Sequence, residues 1–278
     1  MRELKKLIFL WPSKHRRQGK EIVLKWFHRS LVSDLRTNRH NVLLGIALAF
    51  VAGATNAGGF LAVGRYTSHM TGLLSSIPDN LAVGQSVLAL GAGLAICTFV
   101  FGAATTSLLV HWARRRRLHS LFALPLMLEA LFLLLFGLAG ATLDDRAAFR
   151  VPFTMLVLTY LMGLQNAVIT KISRAEIRTT HVTGLITDLG IELGKFLYTN
   201  HSHDQLPVRS DRRKVRIQIS LVCAFLIGGL VGANGFKYLG YVSTVPLALI
   251  LVLLAYEPVW QDMRSRRRLL RWRTKRVR

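Results

Sequence analysis

The stretch Phe50–Leu74, FVAGATNAGGFLAVGRYTSHMTGLL, contains a polar phrase that returns later in the chain. Thr67–Leu73 reads TSHMTGL and Thr179–Leu185 reads TTHVTGL. Ahead of each stands a glycine three residues before an Asn-Ala pair: Gly53 with Asn56-Ala57, and Gly163 with Asn166-Ala167. The glycine–asparagine pairs lie 110 residues apart and the histidine motifs 112, so the order is kept with a two-residue insertion. One match of this length arises by chance. Two in the same order at nearly the same offset make an internal repeat the better reading.

The surroundings of the two phrases decide the fold class. Hydrophobic residues make up 51% of the 278 and the mean hydropathy is +0.37. Apolar runs lie near 41–63, 84–110, 119–141, 151–172, 215–236 and 239–256. Each approaches the ~20 residues a helix needs to cross a bilayer. The expectation is an all-α polytopic membrane bundle with six full spans. The segments 67–78 and 180–199 are expected as short re-entrant or interfacial helices, the first ending at Ile77-Pro78-Asp79. Three spans per half is an odd number, so two halves, 41–141 and 151–256, would face opposite ways as inverted repeats.

Charge supplies the orientation. With a cytoplasmic N-terminus, 32 of the 37 lysines and arginines fall on cytoplasmic segments and four on outer ones. That asymmetry satisfies the positive-inside rule and places both termini inside a bacterial inner membrane. The net charge of +23 is then topology and attraction to anionic headgroups, not a nucleic-acid signature. The basic head, 1–40, carries an expected amphipathic helix over 20–39, and the tail, 257–278, is polybasic. Both are expected to hold anionic lipid. No signal peptide is expected, since the patch Leu7–Trp11 is too short for one. Cys97 and Cys223 sit singly in apolar runs and read as buried small residues.

The polar residues inside or beside the spans are the functional candidates. Irregular backbone at membrane depth is tolerated where it is buried in protein or lines a wet cavity. On that basis Asn56, Thr67, Ser68, His69 and Thr71 in the first half are pathway or substrate candidates. Gln165, Asn166, Thr179, Thr180, His181 and Thr183 are their partners in the second. A histidine titrates near neutrality and suits a gate or a proton step. Equally, His69 and His181 could each fix a turn at a helix start, with Asn56 and Asn166 bracing broken backbone.

The second short segment adds a polar stripe, His181, Gly184, Asp188, Glu192 and Lys195. Its counterparts 112 residues earlier carry no charge. Asp188 and Glu192 are therefore candidates for a cation or proton site, or alternatively form the solvated face of an interfacial helix. Glu129 lies deep in the run Leu121–Leu138, where an acid suggests proton coupling or, alternatively, pairing with an inward-facing polar group that orients the helix. His201 and His203 in NHSHDQ read as a solvated loop, and no metal site or cofactor is expected. No nucleophile elbow, HExxH, P-loop or dinucleotide fingerprint occurs, so no enzyme is expected.

Together, Phe50–Leu74 and GLQNAVITKISRAEIRTTHVTGLITDLG, residues 163–190, resemble the YoaK family of bacterial inner-membrane proteins, a domain of unknown function. The resemblance covers roughly 41–256 and implies a six-span membrane protein, with no substrate and no catalytic residue attached. From the residues themselves, a small-solute transporter or channel is the leading expectation, with homo-oligomerisation open. A non-transporting scaffold or sensor with lipid-binding tails is the alternative.

Overall fold

The computed structural model describes residues 38–64, 66–116, 118, 120–142, 147–172, 182–199, 208–256 and 260. The amphipathic head over 20–37, the tail beyond 260, Thr179, Thr180, His181, His201 and His203 lie outside the described residues. Helix α1 spans Asn38–Val63, α2 Met70–Ala82, α3 Ser86–Arg115, α4 Ala123–Thr142, α5 Ala147–Ile172, α6 Val182–Leu197 and α7 Arg212–Leu239. A 3-10 turn, Gly240–Ser243, leads into a further helix, α8, over 244–256. The described residues are all-helical, as expected, with no strand among them.

Among the described residues, five stretches are long and apolar enough to cross a membrane: Val42–Ala62, Ser86–Arg115, Ala123–Thr142, Pro152–Lys171 and Arg212–Tyr256. The fifth, 45 residues, would reach ~68 Å as one rod, more than twice a hydrocarbon core of ~30 Å. It is not one rod. Gly240 takes φ 61, a left-handed conformation that stops α7 and turns the chain back. Long apolar side chains face outward all round, among them Val87 at 79%, Phe101 at 69% and Leu108 at 70% exposure. Such a surface would aggregate in water and is at home in lipid.

Side-chain and backbone contacts give the helix directions. Gln165 touches the Leu48 carbonyl while Leu158 lies against Gly59, so α1 and α5 run antiparallel. Along α1, Phe50, Ala54 and Gly58 meet Gly228, Gly232 and Phe236 of α7 in rising order, so that pair runs parallel. Along α3, Gly102 and Thr106 meet Tyr160 and Leu164 of α5 in rising order, so that pair is parallel too. At the far end of α4, Gly140 packs on Tyr241 and Gly137 on Thr244, so α8 returns antiparallel to α4.

The two main helix pairs are joined by the same device. A methyl group at Gly53 would overlap the Phe225 carbonyl oxygen, and one at Gly228 would overlap that of Phe50. Across the other pair, a methyl at Gly163 would overlap the Phe99 carbonyl oxygen, and one at Gly102 that of Tyr160. Small residues let helix backbones meet where lipid offers no hydrophobic drive to association.

Three local expectations are corrected. The proline at 78 does not end its segment: α2 runs through Pro78 to Ala82. The proline removes one backbone donor but sits on the exposed side, where the Leu74 carbonyl it frees is not sealed in the core. Helix α3 continues past the expected 110 to Arg115, carrying its arginines out of the apolar zone. Cys97 and Cys223 are exposed, not buried. The buried stripes of their helices are Ala92, Ala95, Gly102 and Thr106, and Leu221, Ala224, Gly228 and Gly232, which leave both thiols on outward faces.

Gly228→Ala should lower the thermal midpoint in detergent, with an overpacking cost of about 1–3 kcal/mol. Gly93→Ala, where nothing lies within 4 Å, should leave it unchanged or raise it. Equal midpoints for the two variants would remove the α1–α7 backbone contact as a determinant of stability.

Candidate functional site

The first polar phrase divides its side chains between the bundle and the exterior. After α1 ends, Thr67 and Ser68 turn back onto it. Thr67 is buried against Gly59, and its hydroxyl has no hydrogen-bond partner. The Ser68 hydroxyl donates to Asn56 Oδ1 at 2.9 Å, fixing the start of the short helix to the middle of the spanning one. Asn56 therefore braces the irregular segment. His69 occupies the N-cap position of α2, yet its side chain makes no capping hydrogen bond. The imidazole lies across Gly72, where a Cβ would collide with it. Thr71 is exposed.

Freed from capping, His69 faces a cavity of about 300 Å³ shared with Phe60, Tyr66, Leu73 and Ser76. Phe60 and Tyr66 stack at 4.8 Å between ring centroids and form its aromatic wall. Neither aromatic residue stands out in the sequence, because an aromatic at the end of an apolar run reads as a lipid-facing anchor. His69 is the residue of the phrase whose polar atoms are available to a ligand entering that cavity.

Gln165 and Glu129 form a second polar centre, fully buried where α1, α4 and α5 meet. Gln165 Nε2 donates to the Leu48 carbonyl at 3.2 Å, which turns its Oε1 away without a partner. Gln165 is also the polar neighbour of the Glu129 carboxyl, but neither carboxyl oxygen has a hydrogen bond of good geometry. Glu129 Oε1, Glu129 Oε2 and Gln165 Oε1 are each buried without a hydrogen-bond partner, beside a Gln165 amide that keeps one N–H beyond the one given to Leu48. A buried unmatched acceptor is costly, and a proton on the carboxyl would lessen that cost. The sequence marks Glu129 and Gln165 separately but not their meeting. Asn166, one residue on, donates Nδ2 to Met162 O at 2.9 Å within its own helix.

The charged stripe of α6 is tied to α7. Asp188 Oδ2 accepts from Gln218 Nε2 at 2.9 Å and pairs with Lys214 at 3.2 Å. Glu192 is buried, with Lys195 Nζ at 2.9 Å and the Asp211 amide at 2.8 Å on its two oxygens. Asp211 in turn caps α7, its Oδ1 accepting from the Arg213 and Lys214 amides. The Lys195 ammonium and then the Asp211 amide hold the Glu192 carboxyl down at about 2, from an ordinary 4.5. Both carboxylates thus already have cationic partners within the protein. Thr183 of the second phrase is exposed on α6, and its carbonyl accepts the Thr187 hydroxyl at 2.9 Å.

A family model described as Protein of unknown function (DUF1275) matches residues 44–256. The chain belongs to that family. YoaK-type proteins, which the two phrases resemble, belong to it too. Neither a curated protein nor a solved structure matches the chain. The DUF1275 match begins at Leu44 in α1 and ends at Tyr256 in α8, so it contains all three polar centres and leaves out the basic head and tail.

The α6–α7 tie should be acid-sensitive. A carboxyl held low in the folded protein contributes its stabilisation above the ordinary carboxylate range, and loses it as pH falls through about 2. Exchange protection of the Asp211 amide, corrected for intrinsic rate, should be intact at pH 6 and progressively lost below pH ~4. In Glu192→Gln it should be lower and flat with pH. A wild-type profile that is equally flat would contradict the assignment.

Proposed function

We propose that this DUF1275 protein is a small-solute transporter or channel of the bacterial inner membrane, with its pathway between two inverted halves. The observation that carries the reading is the Glu129 carboxyl, fully buried with neither oxygen hydrogen-bonded, beside Gln165 where helices of the two halves meet. A group that can take up a proton there, inside hydrocarbon, is costly to keep unless it is used. Adding one proton would leave a neutral carboxylic acid there, able to donate as well as accept.

The packing supports the inverted relation. Residues 110 apart, Phe50 and Tyr160, and Gly53 and Gly163, make equivalent contacts to residues 126 apart, Phe99 and Phe225, and Gly102 and Gly228. The opposed directions of α1 and α5 are what halves of three spans each would give. We read α7 and α8, divided at Gly240, as two crossings, which makes six. With the basic segments inside, both termini are cytoplasmic. On this reading the His69 cavity is an entrance on the outer face.

The close glycine contacts between α1 and α7 and between α3 and α5 favour a second reading, a closed, non-transporting scaffold. Flux separates the two. Purified protein in liposomes, screened against small ions and neutral solutes, should carry at least one solute faster under an imposed proton gradient. Glu129→Gln should keep its thermal midpoint and lose at least ten-fold of the gradient-driven component. No flux from folded wild-type protein across the screen would favour the scaffold, and undiminished coupling in Glu129→Gln would remove its proton role.

A further inference from the structure

A groove of about 740 Å³ runs between α6 and α7, away from the His69 cavity and the Glu129 centre. Its walls are apolar: Leu189, Leu193 and Phe196 from α6, Val215 and Ile219 from α7. Leu193 is 58% and Phe196 70% exposed, so these side chains border the groove without filling it. At its mouth stand Arg212 and Arg216, one turn apart on α7. Both are exposed, and no ion pair engages either guanidinium among the described residues. The one acid on the lining, Glu192, is already neutralised by Lys195 and the Asp211 amide. The groove therefore presents two free positive charges above an apolar trough.

The stripe continues beyond the groove. Arg212, Arg216, Ile219, Leu226 and Leu230 succeed one another along one side of α7, the last three 47%, 59% and 66% exposed. Arg216 is the last charged residue before Lys237. From Ile219 to Leu230 the helix rises ~16 Å, about half of a ~30 Å hydrocarbon core. Charge at the top and one leaflet's depth of exposed apolar surface below it match the two ends of a single molecule. A water-soluble anion would need only the arginines, and an apolar peptide would have no use for them.

We propose that the α6–α7 groove binds an anionic phospholipid, its phosphate held by Arg212 and Arg216 and an acyl chain lying along Val215, Ile219 and Phe196. Guanidinium groups match phosphate oxygens in geometry and lose little on partial desolvation. Bound there, the lipid lies against α6 and adds to the ties that Asp188 and Glu192 make to α7. This site differs from diffuse attraction to the basic head and tail, because it needs both the two arginines and the apolar trough.

The test uses the full chain in detergent micelles doped with phosphatidylglycerol or with phosphatidylcholine, read by native mass spectrometry and thermal midpoint. Wild-type protein should retain phosphatidylglycerol over phosphatidylcholine and melt higher with it. Arg212→Gln with Arg216→Gln should weaken that retention ~10-fold or more, whereas Arg209→Gln with Arg213→Gln, which removes equal charge off the stripe, should change it less than ~2-fold. Val215→Trp keeps every charge, blocks the trough, and should also lose the lipid. All variants must melt like wild type in phosphatidylcholine alone to be scored, and inorganic phosphate at millimolar concentration should not raise the midpoint. Equal losses in the two double variants, wild-type retention by Val215→Trp, or a midpoint rise with phosphate alone would each overturn the site.

Discussion

Four glycines bring two pairs of helices to backbone contact, and most of the architecture follows from that approach. Gly53 and Gly228 seat α1 against α7, and Gly102 and Gly163 seat α3 against α5. At each, a carbonyl oxygen of the partner helix occupies the space a Cβ would take. In hydrocarbon, apolar side chains gain nothing by leaving lipid for protein, so association depends on close packing and weak Cα–H···O contacts. Because α1 belongs with the first phrase and α7 with the second, the tightest contacts cross between the parts of the chain that carry the repeat. The short helices α2 and α6 are left at the margins, each with an exposed apolar side.

That close seam also determines where polar groups sit. Near Gly102 and Gly163, hydroxyls bond backbone or one another: Thr106 donates to Leu164 O at 3.0 Å, and Tyr160 to Thr105 at 2.9 Å. Glu129 and Gln165 lie where three helices meet and no such hydroxyl reaches them. Leu48 takes one N–H of the Gln165 amide, and the Glu129 oxygens and Gln165 Oε1 stay unmatched. Among the described residues, oxygens of Thr55, Thr67, Gln218 and Ser243 are also buried and unmatched, and Glu129 differs from them in being able to carry charge.

Much of the helical plan was legible from residue chemistry. Runs of apolar residues bounded by arginines locate α1, α3, α4, α5 and α7 within a few residues, because hydrocarbon thickness and backbone hydrogen bonding leave little choice. The repeated Gly-x-x-Asn-Ala phrase marks Gly53 and Gly163, and both prove to be contact points. Their partners Gly102 and Gly228 carry no such phrase and pass as ordinary small residues. Pro78 misleads because a proline signals a helix end, and only the exposed setting of α2 shows that the lost bond is tolerated. The bond between Ser68 and Asn56 spans 12 residues and depends on how the chain reverses after Gly64. The tie of Asp188 to Gln218 spans 30, and spacing along one helix gives no hint of it.

The two short helices are fastened by different physics, and the difference bears on which can respond to conditions. Helix α2 is held by a neutral hydrogen bond from Ser68 to Asn56 and by Leu73 packed on Ala92 and Ala95. Neither term depends on ionic strength, and neither involves a carboxylate. Helix α6 is held by Asp188 on Lys214 and Gln218, and by Glu192 on Lys195 and the Asp211 amide. The Asp188–Lys214 pair is partly exposed, so salt screens it, and acid removes the Glu192 charge. The two phrases match in glycine and threonine, and the helices that follow them differ where charge enters. One end of the bundle is fixed by packing, and the other is held by interactions that pH, salt and a bound anion can each shift.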